Sequence, residues 1–249
     1  MSTFLAVFFA IYTSMHALVF ARARAILPDR WPVRLSVVLF CLLMILAPAA
    51  VRLLERSGHE VAARVTAFIG YSWMGFIFLA FSGVLVLSLF ELGAKLVSLM
   101  AGTGPLPLSH RSLASGVLAV AALLSVYGLF EARMIRVERV RIATDKLPAG
   151  MDRLKVVQVS DVHLGLIMRG ERLNPIVERI IQENPDILVS TGDLVDGDMG
   201  DAVGEISDYF TQIKPRFGKF AILGNHEYYA GLSYSTDSTE RFGFRLLRD

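Results

Sequence analysis

Four long apolar stretches dominate the first half of the sequence and limit what it can fold into. They cover residues 3–21, 35–51, 65–90 and 113–130. A helix needs about 20 predominantly apolar residues to cross the roughly 30 Å of hydrocarbon in a bilayer. We therefore predict a bundle of about four transmembrane helices within residues 1–134, in a multi-pass protein of the cell (inner) membrane whose first partner is the lipid bilayer.

Two of these stretches leave an alternative open. Residues 3–21 could be a cleaved signal peptide, but no basic residue precedes them and three more apolar stretches follow. Residues 35–51 form the shortest stretch and contain Pro48 near its end, so this segment could be re-entrant or sharply tilted. Four crossing helices remain the best interpretation.

Basic residues in short loops normally decide which way such a protein faces. With four spans, seven basic residues lie on the side of the N-terminus and six on the other side, so their number does not decide the orientation. Arg22 and Arg24, however, follow the first stretch, and nothing basic precedes it. If the first helix dominates, the loop with these arginines stays in the cytoplasm and the C-terminal part lies on the extracytoplasmic side.

His16 is the ionisable residue in the middle of the first stretch. A polar side chain at this depth either bonds to a neighbouring helix or belongs to a transport or relay pathway. The sequence favours the bond, because no internal repeat or series of charges suggests a transporter. The arginines near the stretches are typical of interfacial anchors. No basic run is interleaved with aromatic residues, so no nucleic-acid partner is expected.

The pattern changes in residues 135–249, which alternate between apolar and polar segments. Residues 135–142 predict a strand that joins a sheet edge, and further strands are predicted over residues 155–160, 186–191 and 219–223. Helical patterns over residues 172–183 and 202–212 separate them. This βαβαβ order predicts a mainly parallel sheet with helices on both faces. A helix near residues 235–241 and a strand near 244–247 are expected to follow.

Polar side chains come directly after three of the predicted strands. Asp161, Asp193 and Asn225 hold these places, 32 residues apart in both intervals. The carboxyl ends of parallel strands gather along one sheet edge, where ligands bind. Together with His163, these residues form a mixed oxygen and nitrogen ligand set, which suits Mn, Fe or Zn. Two such ions can bridge a phosphate and create a hydroxide nucleophile near neutral pH.

The surrounding motifs differ in how specific they are. Asp-x-His occurs by chance in roughly a third of chains of this length, whereas Gly-Asn-His-Glu is expected in about one or two chains per thousand. Gly192 and Gly224 are expected to let the chain turn sharply and to leave room beside an ion. The correct order of all the motifs on successive strands makes the combination specific.

At these residues the chain resembles the calcineurin-like metallophosphoesterase family, in particular its bacterial membrane-anchored branch. The resemblance covers roughly residues 135–249, through Asp161-x-His163, Gly192-Asp193-x-x-Asp196 and Gly224-Asn225-His226-Glu227. It implies an α/β domain of the αββα type with two divalent metal ions. The implied reaction is hydrolysis of a phosphomonoester, a phosphodiester or a lipid-linked pyrophosphate by a metal-bound hydroxide. The membrane part suggests that this phosphorylated substrate is lipid-derived, because an anchored site would be within reach of lipid head groups.

The resemblance also implies roles for the individual residues. Asp161 and His163 would bind the first metal, Asp193 would bridge the two metals, and Asn225 would bind the second. His226 would be the catalytic residue that contacts the phosphate and assists the leaving group. Glu227 would orient His226. Asp196 is either a further supporting residue or part of a turn.

The chain departs from its family in one respect. The family has further histidines downstream, one after a later strand and a final Gly-His-x-His segment, but His226 is the last histidine of this sequence. His16, His59 and His110 all lie in the membrane part. We therefore expect an incomplete, C-terminally truncated phosphoesterase domain. The alternative is a non-catalytic membrane structural or interaction protein that carries a remnant of the domain.

Overall fold

The computed structural model describes residues 2–104 and 109–247. The chain divides into two compact units, residues 1–134 and residues 135–249. The first unit consists of four helices, and the second contains a parallel sheet with helices between its strands. A bundle of long apolar helices is thus followed by an α/β region, as the sequence predicts.

The four helices of the first unit are long and apolar enough to cross a membrane. They are α1 (Ser2–Ala23), α2 (Trp31–Arg56), α3 (Glu60–Met100) and α4 (His110–Glu131). The helix α2 continues through Pro48 for 26 residues. At 1.5 Å per residue it is about 39 Å long, more than the hydrocarbon thickness. The structure therefore favours a direct crossing by α2 over a re-entrant segment.

Close helix packing in this unit depends on small residues. A Cβ atom added at Gly70 of α3 would lie 2.8 Å from the Cβ atom of Ala47 in α2. A Cβ at Gly83 would come equally close, 2.8 Å, to Cγ1 of Val117 in α4. Small residues let helix backbones approach in lipid, where association depends on packing and polar bonds instead of hydrophobic burial.

The buried His16 bonds to a neighbouring helix. Its Nδ1 lies 2.8 Å from the backbone oxygen of Tyr12, and its Nε2 lies 2.9 Å from the indole nitrogen of Trp73 on α3. A carbonyl only accepts and an indole N–H only donates, so the imidazole is neutral with its proton on Nδ1. Both ring nitrogens are satisfied, which supports packing over a relay role.

A parallel sheet of four strands forms the frame of the second unit. Its strands are β1 (Val156–Val159), β2 (Ile187–Thr191), β3 (Lys219–Ile222) and β4 (Phe244–Leu246), and they lie in the order β1-β2-β3-β4. The connections contain a 3-10 turn (Gly170–Arg172) and the helices α5 (Asn174–Glu183), α6 (Ala202–Thr211), α7 (Asn225–Ala230) and α8 (Leu232–Arg241). Sequential order with parallel pairing puts the carboxyl ends of neighbouring strands side by side.

Among the described residues, the helices cover one face of the sheet, and the prediction of helices on both faces was wrong. Leu188, Ala221 and Phe244 point to the covered face and are buried in the core with residues of α5 and α6. On the other face, Val156 is 50% and Ile222 is 44% exposed. The physical reason is that right-handed crossovers between strands in sequential order all place their helices on the same side.

Lys219 lies on the covered face, although it is a charged residue. Its Nζ donates to the carbonyl oxygens of Phe210 at 2.8 Å and Phe242 at 2.9 Å, near the C-terminal ends of α6 and α8. Burial lowers the pKa of this amine. The ammonium thus satisfies carbonyls at two helix ends, where a positive charge is favourable.

The strand predicted over residues 135–142 is not formed, and this prediction was wrong. These residues are extended without a regular element, and Val140 and Ile142 are exposed. Alternation of apolar and polar residues predicts an extended shape, but a strand also needs a neighbour whose backbone can pair with it. Arg139 is held instead by an ion pair with Glu183 at the end of α5, and the pKa of Glu183 is lowered chiefly by this bond.

Candidate metal centre

The loops that follow β1 and β2 are joined by backbone hydrogen bonds. The N–H of His163 donates to the carbonyl oxygen of Asp193 at 3.0 Å, and the N–H of Leu164 donates to that of Leu194 at 2.8 Å. The N–H of Asp161 donates to the carbonyl oxygen of Gly192 at 3.2 Å. The parallel pairing of the strands thus continues into their loops and brings two separate motifs together.

Three residues of these loops have a left-handed backbone. The φ angles are 54° for Asp161, 53° for His163 and 51° for Asp193. This conformation is uncommon for residues other than glycine, although Asp and His adopt it more often than most. Such a conformation costs about 1–3 kcal/mol and persists where the surroundings enforce it, typically at functional sites. The hydrogen bonds between the two loops provide that enforcement.

The side chains of these three residues converge. Ligand atoms of Asp161, His163 and Asp193 all lie within 4.8 Å of one another. Two carboxylates and an imidazole are ligands that Mn, Fe and Zn accept. The hydroxyl of Ser160 also donates to Oδ2 of Asp161 at 2.5 Å. By its chemistry and its spacing, this ligand set fits a divalent metal ion.

A second group of side chains shares His163 with the first. Ligand atoms of His163, Asp196 and His226 also lie within 4.8 Å of one another. Nδ1 of His226 lies 2.5 Å from Oδ1 of Asp196. A carboxylate only accepts hydrogen bonds, so Nδ1 carries the proton and Nε2 is left as the second polar atom of the ring. Asp196 therefore contacts the imidazole that the family resemblance identifies as catalytic.

Glu227 points away from this cluster into the protein. Its side chain is 1% exposed, and the two carboxylate oxygens accept four backbone hydrogen bonds. Oε1 accepts from Leu194 at 2.6 Å and Val195 at 2.9 Å, and Oε2 accepts from Gly224 at 2.7 Å and Asp193 at 3.1 Å. The carboxylate thus fastens the loop after β2 to the loop after β3, and it holds the backbone of Asp193 in place.

The loop after β3 passes so close to Asp193 that only glycine fits at position 224. A Cβ atom there would overlap Oδ1 of Asp193 and lie 2.7 Å from its backbone nitrogen. Gly224 has an extended backbone, with a φ of −104°, so space and not conformation requires the glycine. Gly192 differs, since its φ of 104° is one that side chains rarely allow. The same oxygen of Asp193 accepts from the N–H of His226 at 3.0 Å.

The structure thus brings six of the seven predicted site residues into two overlapping groups and the support behind them. Asn225 is the first residue of α7, next to His226, and it is exposed. Its assignment as a ligand of a second metal stays a prediction, as do the roles of the other residues. The sequence motifs did not reveal the hydrogen bond from Ser160. They also did not reveal Tyr229, whose ring lies 5.7 Å from that of His226. Tyr229 follows His226 by three residues in the same helix, and this spacing was the available signal for their contact.

Residues 154–248 match the family model described as calcineurin-like phosphoesterase. The chain therefore carries a calcineurin-like phosphoesterase domain. Together with four helices long enough to cross a membrane and with relatives named as transmembrane proteins, this domain supports a membrane-linked phosphoesterase family. Members of this family generally use a pair of divalent metal ions, and the side chains described above are candidate ligands.

Three relatives illustrate the similarity. An uncharacterized metallophosphoesterase of Aquifex aeolicus is 44% identical over 129 residues, which cover 52% of this chain and 49% of the relative. A transmembrane protein with metallophosphoesterase domain of Danio rerio is 37% identical over 45% of this chain and 26% of its own length. The UDP-2,3-diacylglucosamine pyrophosphatase of Chlamydia trachomatis is 33% identical over 39% of this chain and 30% of its own length.

The chain spans about half the length, or less, of the curated relatives that it matches. No solved structure matches it. The likeness to known proteins therefore rests on the sequence motifs and on the family model, and the geometry of the site is described from this chain itself.

Proposed function

We propose that the protein is a membrane-anchored, metal-dependent phosphoesterase that hydrolyses a phosphomonoester, a phosphodiester or a lipid-linked pyrophosphate. The observation that carries this proposal is the convergence of Asp161, His163 and Asp193 at the carboxyl ends of neighbouring strands. The left-handed backbones of these residues cost free energy, which a purely structural loop has no reason to maintain. In a metal site, these backbones direct the side chains toward the ion.

In this proposal Asp161 and His163 would hold a first divalent ion, Asp193 would contribute to both ions, and Asn225 would contribute to the second. Mn, Fe and Zn fit these ligands. When bound, such a metal pair supplies an activated water and neutralises negative charge on the phosphoryl group. A metal-based reaction needs no serine or cysteine nucleophile, and the single cysteine, Cys41, lies within α2.

His226 acts on the leaving group in this scheme. Its Nδ1 is directed by Asp196, so the ring is held with Nε2 as the atom available to substrate. In the protonated imidazole, Nε2–H donates to the oxygen that leaves the phosphorus atom, and proton transfer there avoids an unstable alkoxide. Asp196 is a positioning residue, because its carboxylate contacts the imidazole instead of the substrate.

A lipid-derived substrate agrees with the membrane bundle. Four apolar helices keep the domain at the bilayer, within reach of lipid head groups. One relative, 33% identical over 98 residues, is named as a UDP-2,3-diacylglucosamine pyrophosphatase. These two observations favour a lipid-linked phosphate or pyrophosphate over a small soluble ester.

We place the phosphoesterase domain on the extracytoplasmic side of the cell (inner) membrane. The support is the pair Arg22 and Arg24 after the first helix, with nothing basic before it. A cysteine introduced at the exposed position 201 in a Cys41→Ser background tests this in intact cells. Labelling by a membrane-impermeant maleimide is expected, and protection until the membrane is opened would contradict the assignment.

Hydrolysis by the purified chain of residues 1–249 tests the proposed reaction. With Mn²⁺ added, we expect turnover of bis(p-nitrophenyl) phosphate, and we expect Asp193→Asn to reduce it at least about 100-fold, since even residues behind metal ligands cost 10–100-fold. Asp201→Asn is the matched control, because Asp201 is an exposed carboxylate whose side chain makes no capping hydrogen bond. Absence of turnover in the parent, or equal rates in the parent and Asp193→Asn, would favour the non-catalytic alternative.

A further inference from the structure

The short helix α7 has two faces with different surroundings. Glu227 and Ala230, three residues apart, are directed inward, since Glu227 is buried and Ala230 packs against the core of the domain. His226 and Tyr229, also three residues apart, share another face. The hydrogen bonds of the Glu227 carboxylate hold α7 in place, and they therefore hold Tyr229 next to the candidate catalytic imidazole.

Tyr229 contacts His226 but is otherwise open. The ring centroids lie 5.7 Å apart, and the planes are inclined by 73°, an edge-to-face arrangement. The Tyr229 side chain is nevertheless 75% exposed. His226 at the same time contacts Asp196 through Nδ1 and faces His163, whose ring lies 4.5 Å away. The Tyr229 ring thus lies beside the imidazole and is otherwise largely exposed.

Tyr229 borders the second ligand group only through His226 and supplies no ligand atom itself. In the proposed function, the metal-ligand side chains would hold the phosphoryl group, and His226 would face the group that leaves it. An exposed aromatic ring there offers an apolar surface with a preference for other rings, through stacking or edge-to-face contact. It offers little to a small aliphatic or inorganic leaving group.

We propose that Tyr229 is a specificity-determining residue, which packs against a flat, ring-shaped group on the leaving side of the phosphate ester. This inference rests on the proposed function, because that function puts the leaving group at His226. It adds a recognition element for the organic part of the substrate. The ligand class is a phosphate ester whose leaving group carries an aromatic or nucleobase-like ring.

Equilibrium binding of two phosphonates tests the inference without requiring turnover. Phenylphosphonate and methylphosphonate present the same charged group, and only the first carries a ring. For the full chain with Mn²⁺, we expect calorimetry to show about 3- to 10-fold tighter binding of phenylphosphonate, the ratio that one aromatic pair provides. Tyr229→Ala is expected to bind the two phosphonates equally, and Tyr229→Phe is expected to keep the preference.

Tyr228→Ala is the matched control. Tyr228 is 62% exposed and neighbours Tyr229, but among the described residues it makes no ring contact with His226. The control is expected to keep the preference for phenylphosphonate. Because both tyrosines are exposed, neither substitution is expected to change the stability of the protein measurably.

The outcomes separate the inference from the proposed function. If the parent binds both phosphonates equally, or if Tyr228→Ala loses the preference as fully as Tyr229→Ala, the role of Tyr229 is refuted and the phosphate site stands. If neither phosphonate binds in the presence of Mn²⁺, the phosphate site itself is refuted, and the inference falls with it.

Discussion

Replacing Glu227 by glutamine is expected to loosen the metal centre without touching a metal ligand. Each carboxylate oxygen accepts two backbone N–H groups, one pair from Leu194 and Val195, the other from Asp193 and Gly224. In glutamine one oxygen becomes an NH2 group, which donates and cannot accept. Whichever way the amide turns, two buried N–H groups lose their acceptor.

The size of the effect follows from these bonds. A hydrogen bond to a charged group contributes about 1.5–3 kcal/mol, so the loss of two of them destabilises the loops by about 3–6 kcal/mol. A change of 1.4 kcal/mol alters an equilibrium tenfold. We therefore expect the amides of residues 193–195 and 224 to open at least about 100-fold more often.

Hydrogen exchange with mass spectrometry measures the opening of these amides in the chain of residues 1–249. Faster exchange is expected in peptides that cover residues 192–196 and 223–228, and weaker Mn²⁺ binding is expected to accompany it. Glu171→Gln, a change at an exposed carboxylate of the 3-10 turn, is the control and should exchange as the parent does. Unchanged protection of the four amides in Glu227→Gln would refute the reasoning.

Three further predictions concern single contacts. Gly224→Ala should weaken Mn²⁺ binding by at least about tenfold, because its Cβ displaces the Asp193 carboxylate. Gly197→Ala should not weaken Mn²⁺ binding, because nothing lies within 4 Å of its Cβ. Calorimetry that finds the two variants alike would disprove this prediction. Lys219→Met should destabilise the second unit by about 1–3 kcal/mol in pulse proteolysis, since two helix-end carbonyls lose their donor. NMR titration should place the pKa of Glu183 below 4.5, and the pKa should rise toward 4.5 in Arg139→Gln. The ion pair stabilises the fold above pH 4.5, and this stabilisation is lost as the pH falls through the lowered pKa. An unchanged titration of Glu183 in the variant would contradict this prediction.

Much of the fold could be predicted because local patterns decide it. The strand predicted over residues 186–191 is observed at Ile187–Thr191, and the helix predicted over 202–212 is observed at Ala202–Thr211. The helix before β2, predicted to end at residue 183, ends at Glu183, and Asn184 after it has a left-handed conformation at a φ of 48°. Apolar periodicity, caps and breakers act over a few residues, so a single sequence reveals them.

Features that depend on a distant partner could not be predicted in the same way. Residues 135–142 have the alternation of a strand but no neighbour to pair with among the described residues. The uncovered face of the sheet depends on the order of the strands and the handedness of their connections, which periodicity does not contain.

The candidate site shows the same division. The residues at the strand ends could be named from their spacing, because parallel strands bring their carboxyl ends together. The left-handed backbones of Asp161, His163 and Asp193 could not, since they depend on bonds between two loops. Likewise, the family resemblance implied that Glu227 orients His226, but its carboxylate accepts from the amides of Asp193, Leu194 and Val195 in the loop after β2, as well as from Gly224.

Metal binding by the purified chain of residues 1–249 tests the central claim most directly. Equilibrium dialysis against Mn²⁺, with the bound metal measured by mass spectrometry, should be carried out on the parent and on Asp193→Asn. Asn keeps an oxygen that can accept from the N–H of His226, so the change removes charge at the cluster and spares that bond. We expect the parent to bind Mn²⁺ and Asp193→Asn to bind it at least about tenfold more weakly. Absence of binding by the parent, or equal binding by both, would contradict the metal centre.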